Sequence, residues 1–151
     1  MEKLQVVKSV IIIDASVSSV WDALVNPEKT KIYMFGCETV SDWNVGSDLL
    51  WKGNYEGEEM VFVKGKIVSI EPEKLLKYTV IDPFATYPDI PENYLNVTYA
   101  LSEQGSQTTL TVIQDGFETA AEGEKRYKDI YNNGEGWNSI LAEIKKVAEG
   151  S

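Results

Sequence analysis

From about residue 37 to residue 117 apolar and polar side chains alternate with a period of two, the spacing of strands that bury one face. In Leu49–Glu56 one face carries Leu49, Trp51, Gly53 and Tyr55, and the other Leu50, Lys52, Asn54 and Glu56. Met60–Ile70 follows the acidic turn Glu56-Gly57-Glu58-Glu59. Leu76, Tyr78 and Val80 then alternate with Lys77 and Thr79, and Leu95, Val97, Tyr99 and Leu101 with Asn96, Thr98 and Ser102. Leu110, Val112 and Gln114 alternate with Thr109, Thr111 and Ile113. The turns Pro72-Glu73-Lys74 and Glu103-Gln104-Gly105-Ser106 are short, so consecutive strands are expected to pair as an antiparallel meander.

The two ends follow other rules. Leu4–Asp14 is dense in β-branched residues (Val6, Val7, Val10, Ile11, Ile12, Ile13), which predicts a strand. Ser16 stands as an N-cap before Val17, Val20, Trp21, Leu24 and Val25, which recur at helical spacing. Asn26-Pro27-Glu28-Lys29 ends that helix and opens a second, running to about Phe35. Asn26 is its cap, Pro27 its first helical residue, and Glu28 meets the positive end of the helix dipole. From about Ala120 to Glu149 the period is helical again. Trp137, Ile140, Leu141, Ile144, Val147 and Ala148 form one apolar stripe, and Tyr127, Ile130 and Tyr131 begin a similar one upstream. Between them lies Asn132-Asn133-Gly134-Glu135-Gly136. Two glycines inside a helix cost about 1 kcal/mol each relative to alanine. The stretch therefore reads as a kink, a break, or a place where the backbone approaches the sheet closely.

One connection is long. Asp82–Asn93 holds three of the five prolines together with Phe84, Tyr87 and Ile90. A stiff loop with apolar side chains packs on something: it is either a lid over a cavity mouth or a plain cover for the end of the sheet.

The order of elements (strand, two short helices, about six strands, long helix) gives an α+β class. A sheet of six or seven antiparallel strands has one apolar face to bury, and only one long amphipathic helix is available to cover it. A strongly curved sheet wrapped round that C-terminal helix meets the need. It would leave a pocket between helix, sheet and the two short helices. The faces expected to point inward carry Trp51, Tyr55, Phe62, Tyr78, Tyr99 and Gln114. The short helices add Tyr33 and Phe35, and the long helix Trp137 and Leu141. Each aromatic is either core packing or the wall of a pocket for a small hydrophobic ligand. Gln114 interrupts an apolar alternation; inside, its amide needs a partner from protein, water or ligand. An apolar void of about 300 Å³ left empty would cost about 7 kcal/mol, against a total stability of about 5–15 kcal/mol. A large pocket here has to be wet, filled or closed.

Composition narrows the chemistry. The 151 residues suit one domain, 1–151. A balance of 24 acidic to 14 basic residues, net charge −10, repels phosphate backbones and anionic headgroups, so neither nucleic acid nor membrane is expected as a partner. The single cysteine, Cys37, precludes an intramolecular disulfide and is read as a small buried apolar residue. Met1-Glu2-Lys3-Leu4 lacks a basic leader, and a cytoplasmic location is expected. There is no histidine, which removes histidine general bases, Ser-His-Asp and Cys-His systems and the common zinc sites. Glu56, Glu58 and Glu59 read as a solvated turn, and Gly53, Gly57 and Gly65 lack the context of a phosphate loop. No catalytic residue, metal site or cofactor is expected.

Four segments in order, Ile13–Lys29 (IDASVSSVWDALVNPEK), Asp42–Gly53 (DWNVGSDLLWKG), Gly65–Tyr78 (GKIVSIEPEKLLKY) and Gly136–Lys146 (GWNSILAEIKK), resemble the Hsp90-ATPase-activator-homologue domains of the START-like, or SRPBCC, superfamily. The resemblance covers nearly the whole chain and implies the helix-grip fold. With the aromatic inner face, it implies non-catalytic binding or carriage of a small hydrophobic molecule. It also implies two alternatives. One is a protein-interaction module related to Hsp90 co-chaperone domains, with a place in stress response. The other is a cyclase-, dehydratase- or hydrolase-type enzyme using tyrosines and carboxylates in the same cavity. A monomer or a homodimer is expected.

Overall fold

A computed structural model describes residues 6–34 and 36–150, apart from the side chain of Asn133. Strand β1 (Val7–Ile13) buries Val7, Ser9 and Ile13 and leaves Val10 and Ile12 exposed. Helix α1 (Val17–Val25) starts at Ser16, whose side chain accepts from the Ser19 amide at 3.2 Å. Helix α2 (Pro27–Tyr33) starts at Asn26, whose side chain accepts from the Glu28 amide at 3.0 Å. Both caps satisfy amides that the first turn leaves without partners.

Six strands follow: β2 (Glu38–Ser41), β3 (Asp48–Tyr55), β4 (Glu58–Glu71), β5 (Leu75–Val80), β6 (Leu95–Gln104) and β7 (Gln107–Asp115). With β1 they make one curved antiparallel sheet in the order β1-β7-β6-β5-β4-β3-β2. The meander is therefore as the short turns demand, and β1 returns to pair with β7, Val7 opposite Gln114 and Ile13 opposite Thr108. The alternation holds most cleanly in β6 and β7, where Leu95, Val97 and Tyr99, and Leu110, Val112 and Gln114, are buried.

The C-terminal helical region is two helices, α3 (Gly123–Tyr131) and α4 (Asn138–Glu149), with a 3-10 turn over Asn132–Gly134 between them. Of the three readings of the glycine-rich stretch, break and close approach both apply. Gly136 has φ +49°, and a Cβ there would lie 2.9 Å from Ser9 Oγ and 3.0 Å from Val7 Cγ1. Helix α4 packs on β1, α1 and α2 through the fully buried Leu141, Ile144 and Ala148. Burying Leu141 and Ile144 contributes about 2 kcal/mol each.

A candidate ligand-binding cavity

Inward residues of neighbouring strands meet diagonally on one face of a sheet. Leu76 pairs with Tyr99 and Tyr78 with Val97, so the rings of Tyr78 and Tyr99 approach edge to face, with centroids 5.5 Å apart. Trp51 continues the row on one side at 6.2 Å, and Trp137, from the start of α4, on the other at 6.0 Å. The polar ends of these side chains are tied together. The Tyr78 and Tyr99 hydroxyls share a hydrogen bond of 2.7 Å. Trp137 Nε1 donates to Gln114 Oε1 at 2.9 Å, and its backbone N–H donates to Ser9 Oγ at 3.1 Å. Burial pushes the Tyr78 and Tyr99 hydroxyls well above their ordinary pKa, so both stay protonated and neutral.

A cavity of about 680 Å³ opens in front of this row. A bulge widens it: Trp51 faces Val63, but the next residue, Lys52, faces Val61. Phe62 is thus extra in β4, and both Phe62 and Val63 reach the cavity. Gly53 makes room for the Phe62 ring, since a Cβ there would lie 3.1 Å from it. From the opposite side Ile130, Asn132, Gly136 and Ile140 close the space.

The mouth is built by Arg126 and the loop after β5. Arg126 is the one arginine of the sequence. Its Nη1 donates to the carbonyl oxygens of Asn93 (2.8 Å) and Ala121 (3.2 Å), and the guanidinium lies 4.5 Å over the Tyr87 ring. The buried Asn93 side chain donates to Pro88 O and accepts from the Ala121 amide, both at 2.8 Å. The loop is also held by Asp89, which pairs with Lys64 and accepts from the Tyr94 hydroxyl. The hydrogen bonds from Lys64 and then Tyr94 hold the Asp89 carboxyl below the usual range. Burial, with the Asp89 contact second, pushes the Tyr94 hydroxyl up to about 12.

Of the residues expected at the pocket, Trp51, Phe62, Tyr78, Gln114 and Trp137 line the cavity, and Tyr87 joins them from the loop. Tyr33, Tyr99 and Leu141 are buried in the core and do not border it. The Tyr33 hydroxyl donates to Ala23 O at 2.6 Å, tying α2 to α1. Tyr55 departs from its expected inward position. It shares the parity of Trp51 but sits at the last residue of β3, where the turn to β4 begins, and is 58% exposed. Phe84 and Ile90 also stand away from the cavity, 61% and 41% exposed, whereas Tyr87 of the same loop is held under Arg126. Phe35 lies outside the described residues. Cys37 is half-buried at the cavity wall, not fully inside, and burial raises its thiol pKa. The sequence reading missed Arg126, Asp129, Ile130, Ile140 and Asp82 at the lining. The lone arginine of an acidic chain and the places of Ile130 and Ile140 on the apolar stripes were the available signals.

Size limits what the cavity can contain. At about 24 cal/mol per Å³, a dry void of this volume would cost about 16 kcal/mol, more than the whole stability of a typical domain. The space must hold water or an apolar molecule. Its walls offer wide apolar contact and few fixed polar groups, the usual make-up of a site for a small hydrophobic ligand.

Comparison with known proteins agrees with this architecture. The family model described as Activator of Hsp90 ATPase homolog 1-like protein matches residues 14–149. The solution structure of a protein from Cytophaga hutchinsonii is 35% identical, with 99% of this chain and 97% of that one covered and a TM-score of 0.74. A crystal structure of a Nitrosomonas europaea protein is 16% identical over the same shares, with a TM-score of 0.73. CalU16 from Micromonospora echinospora is 22% identical over 95% of this chain and 75% of its own, with a TM-score of 0.67. These last two speak for the fold alone. No curated protein matches the chain. Among the described residues, no helix is long and apolar enough to cross a membrane.

Proposed function

Because the chain belongs to the Activator of Hsp90 ATPase homolog 1-like family, whose START-like helix-grip fold often binds hydrophobic ligands, we propose that it binds and carries a small hydrophobic molecule without transforming it. One observation carries this reading: an aromatic-walled cavity of about 680 Å³, within the range for small-molecule sites. The chemistry of the walls supports carriage over catalysis. The Tyr78 hydroxyl and the Cys37 thiol have raised pKa values, which weakens each as an acid, base or nucleophile near neutral pH. The segment from Asp82 to Asn93 serves as the lid, with Tyr87 as its inner surface.

Native mass spectrometry of gently purified protein, followed by organic extraction, tests this. The expected result is a stoichiometric small molecule, lost when Ile140→Trp fills the cavity while thermal stability is kept. If the native protein carries nothing and fails to enhance the fluorescence of the neutral probe N-phenyl-1-naphthylamine, the carrier reading is wrong.

A further inference from the structure

The floor of the cavity holds one polar group whose orientation is determined. An indole N–H can only donate, so the atom of Gln114 that meets Trp137 Nε1 at 2.9 Å is the carbonyl oxygen. The amide is therefore not free to flip, and Nε2 points elsewhere. Gln114 is only 4% exposed. Among the described residues, Nε2 has no hydrogen-bond acceptor, while every completely enclosed side-chain nitrogen and oxygen has a partner. Nε2 is thus in contact with the cavity that Gln114 lines. A buried donor left without an acceptor costs about 1–3 kcal/mol, so whatever fills the cavity gains by presenting one here.

Charge says what kind of acceptor. Among the described residues the lining carries two carboxylates, Asp82 and Asp129, against one cation, Arg126. Arg126 already spends Nη1 on two backbone carbonyls and its face on Tyr87. The chain as a whole has a net charge of −10. An anionic headgroup would face two carboxylates and a net negative chain with one guanidinium to offset them. We propose that the ligand is a neutral, largely apolar molecule with a carbonyl-type acceptor that receives a hydrogen bond from Gln114 Nε2, oriented by the Trp137 indole. This rests on the carrier reading and adds a ligand class to it.

The test displaces N-phenyl-1-naphthylamine with fluorenone, fluorene and fluorene-9-carboxylate, which share one ring system. The wild-type protein should bind fluorenone about two- to tenfold more tightly than fluorene, the worth of one net hydrogen bond, and the carboxylate more weakly than either. In the double variant Gln114→Met, Trp137→Phe, which removes the amide donor and also the indole N–H that loss of Gln114 would leave unpaired, the ratio of fluorenone to fluorene affinity should fall to about one. The Gln114 side-chain amide resonance should shift on adding fluorenone and not on adding fluorene, a readout in the wild-type protein that needs no variant to fold. Equal binding of fluorenone and fluorene by the wild-type protein, or a preference that survives the double variant, overturns the assignment and leaves the carrier reading standing. Tightest binding of the carboxylate overturns the neutral class. Failure of the naphthylamine and all three competitors to bind overturns both readings together.

Discussion

Gly136→Ala tests whether the break between α3 and α4 is what seats Trp137 against the sheet. Three costs follow from the structure. Alanine at φ +49° adopts the left-handed region at about 1 kcal/mol. The new Cβ would lie 2.9 Å from Ser9 Oγ, displacing the oxygen that accepts from the Trp137 amide at 3.1 Å. Losing that buried bond costs about 1 kcal/mol. Val7 Cγ1, at 3.0 Å, must also give way, for about 1 kcal/mol more. The total is about 3 kcal/mol, or about 6–12 °C in Tm for a chain of this length. A double-mutant cycle with Ser9→Ala separates the parts. Ser9→Ala alone should cost about 1 kcal/mol, and the double variant about 1 kcal/mol less than the sum, because the Ser9–Trp137 bond is lost only once. Urea denaturation gives the free energies, and near-ultraviolet circular dichroism reports the displacement of Trp137 directly. A cost below about 1 kcal/mol, or strict additivity with Ser9→Ala, would refute the argument that close approach at Gly136 fastens α4 to β1.

Other expectations follow from particular contacts. Tyr78→Phe removes the hydroxyl that pairs with Tyr99 at 2.7 Å and should cost about 1–2 kcal/mol in urea denaturation, whereas Tyr55→Phe, on an exposed side chain, should stay within about 0.5 kcal/mol. Arg126→Met deletes two bonds to backbone carbonyls and the contact with Tyr87. Limited proteolysis should then cut the segment around Phe84 several-fold faster; an unchanged cleavage rate would show that Arg126 does not hold the loop. The folded pKa of Asp89 is lowered from its ordinary 3.8 by Lys64 and Tyr94. Its contribution is complete above pH 3.8 and declines as pH falls through the lower folded value, so pepsin sensitivity of the loop should rise in that window and lose this dependence in Asp89→Asn. The Tyr94 hydroxyl is raised from 10.0 to about 12. Its contribution is complete below pH 10 and is lost as pH rises towards about 12, so Tyr94→Phe should diminish the alkaline decline in stability measured by thermal melts.

The elements themselves were legible because they depend on local order. Period two produced strands from β2 to β7. Ser16 and Asn26, short polar residues ahead of apolar residues at helical spacing, cap α1 and α2 as side-chain chemistry requires. The glycines of Asn132–Gly136 marked the place where two helices part, since no other residue takes those backbone angles at so little cost. Short turns restricted the topology to a meander, and four ordered segments resembled a family whose model covers residues 14–149.

The site was legible only in part, because parity along a strand tells which face a side chain takes and not what covers that face. Trp51 and Tyr55 share a face of β3, yet the first packs against Tyr78 and the second, at the end of the strand, is exposed. Tyr78 and Tyr99 touch through their hydroxyls, but only Tyr78 meets the cavity. Phe62 gains its place through a bulge opposite Trp51 and Lys52, a register change that no alternation encodes. Arg126 becomes the clasp of the mouth only when α3 and the long loop converge, bringing its guanidinium to the carbonyl of Asn93, 33 residues away in sequence. The amphipathic pattern, the caps and the short turns determined the elements and the meander from β2 to β7, because these follow largely from residues a few positions apart, whereas the pairing of β1 with β7 joins the two ends of the sequence. The cavity, its donor at Gln114 and its lid were decided by tertiary packing, because they arise where surfaces distant in sequence meet and leave space between them.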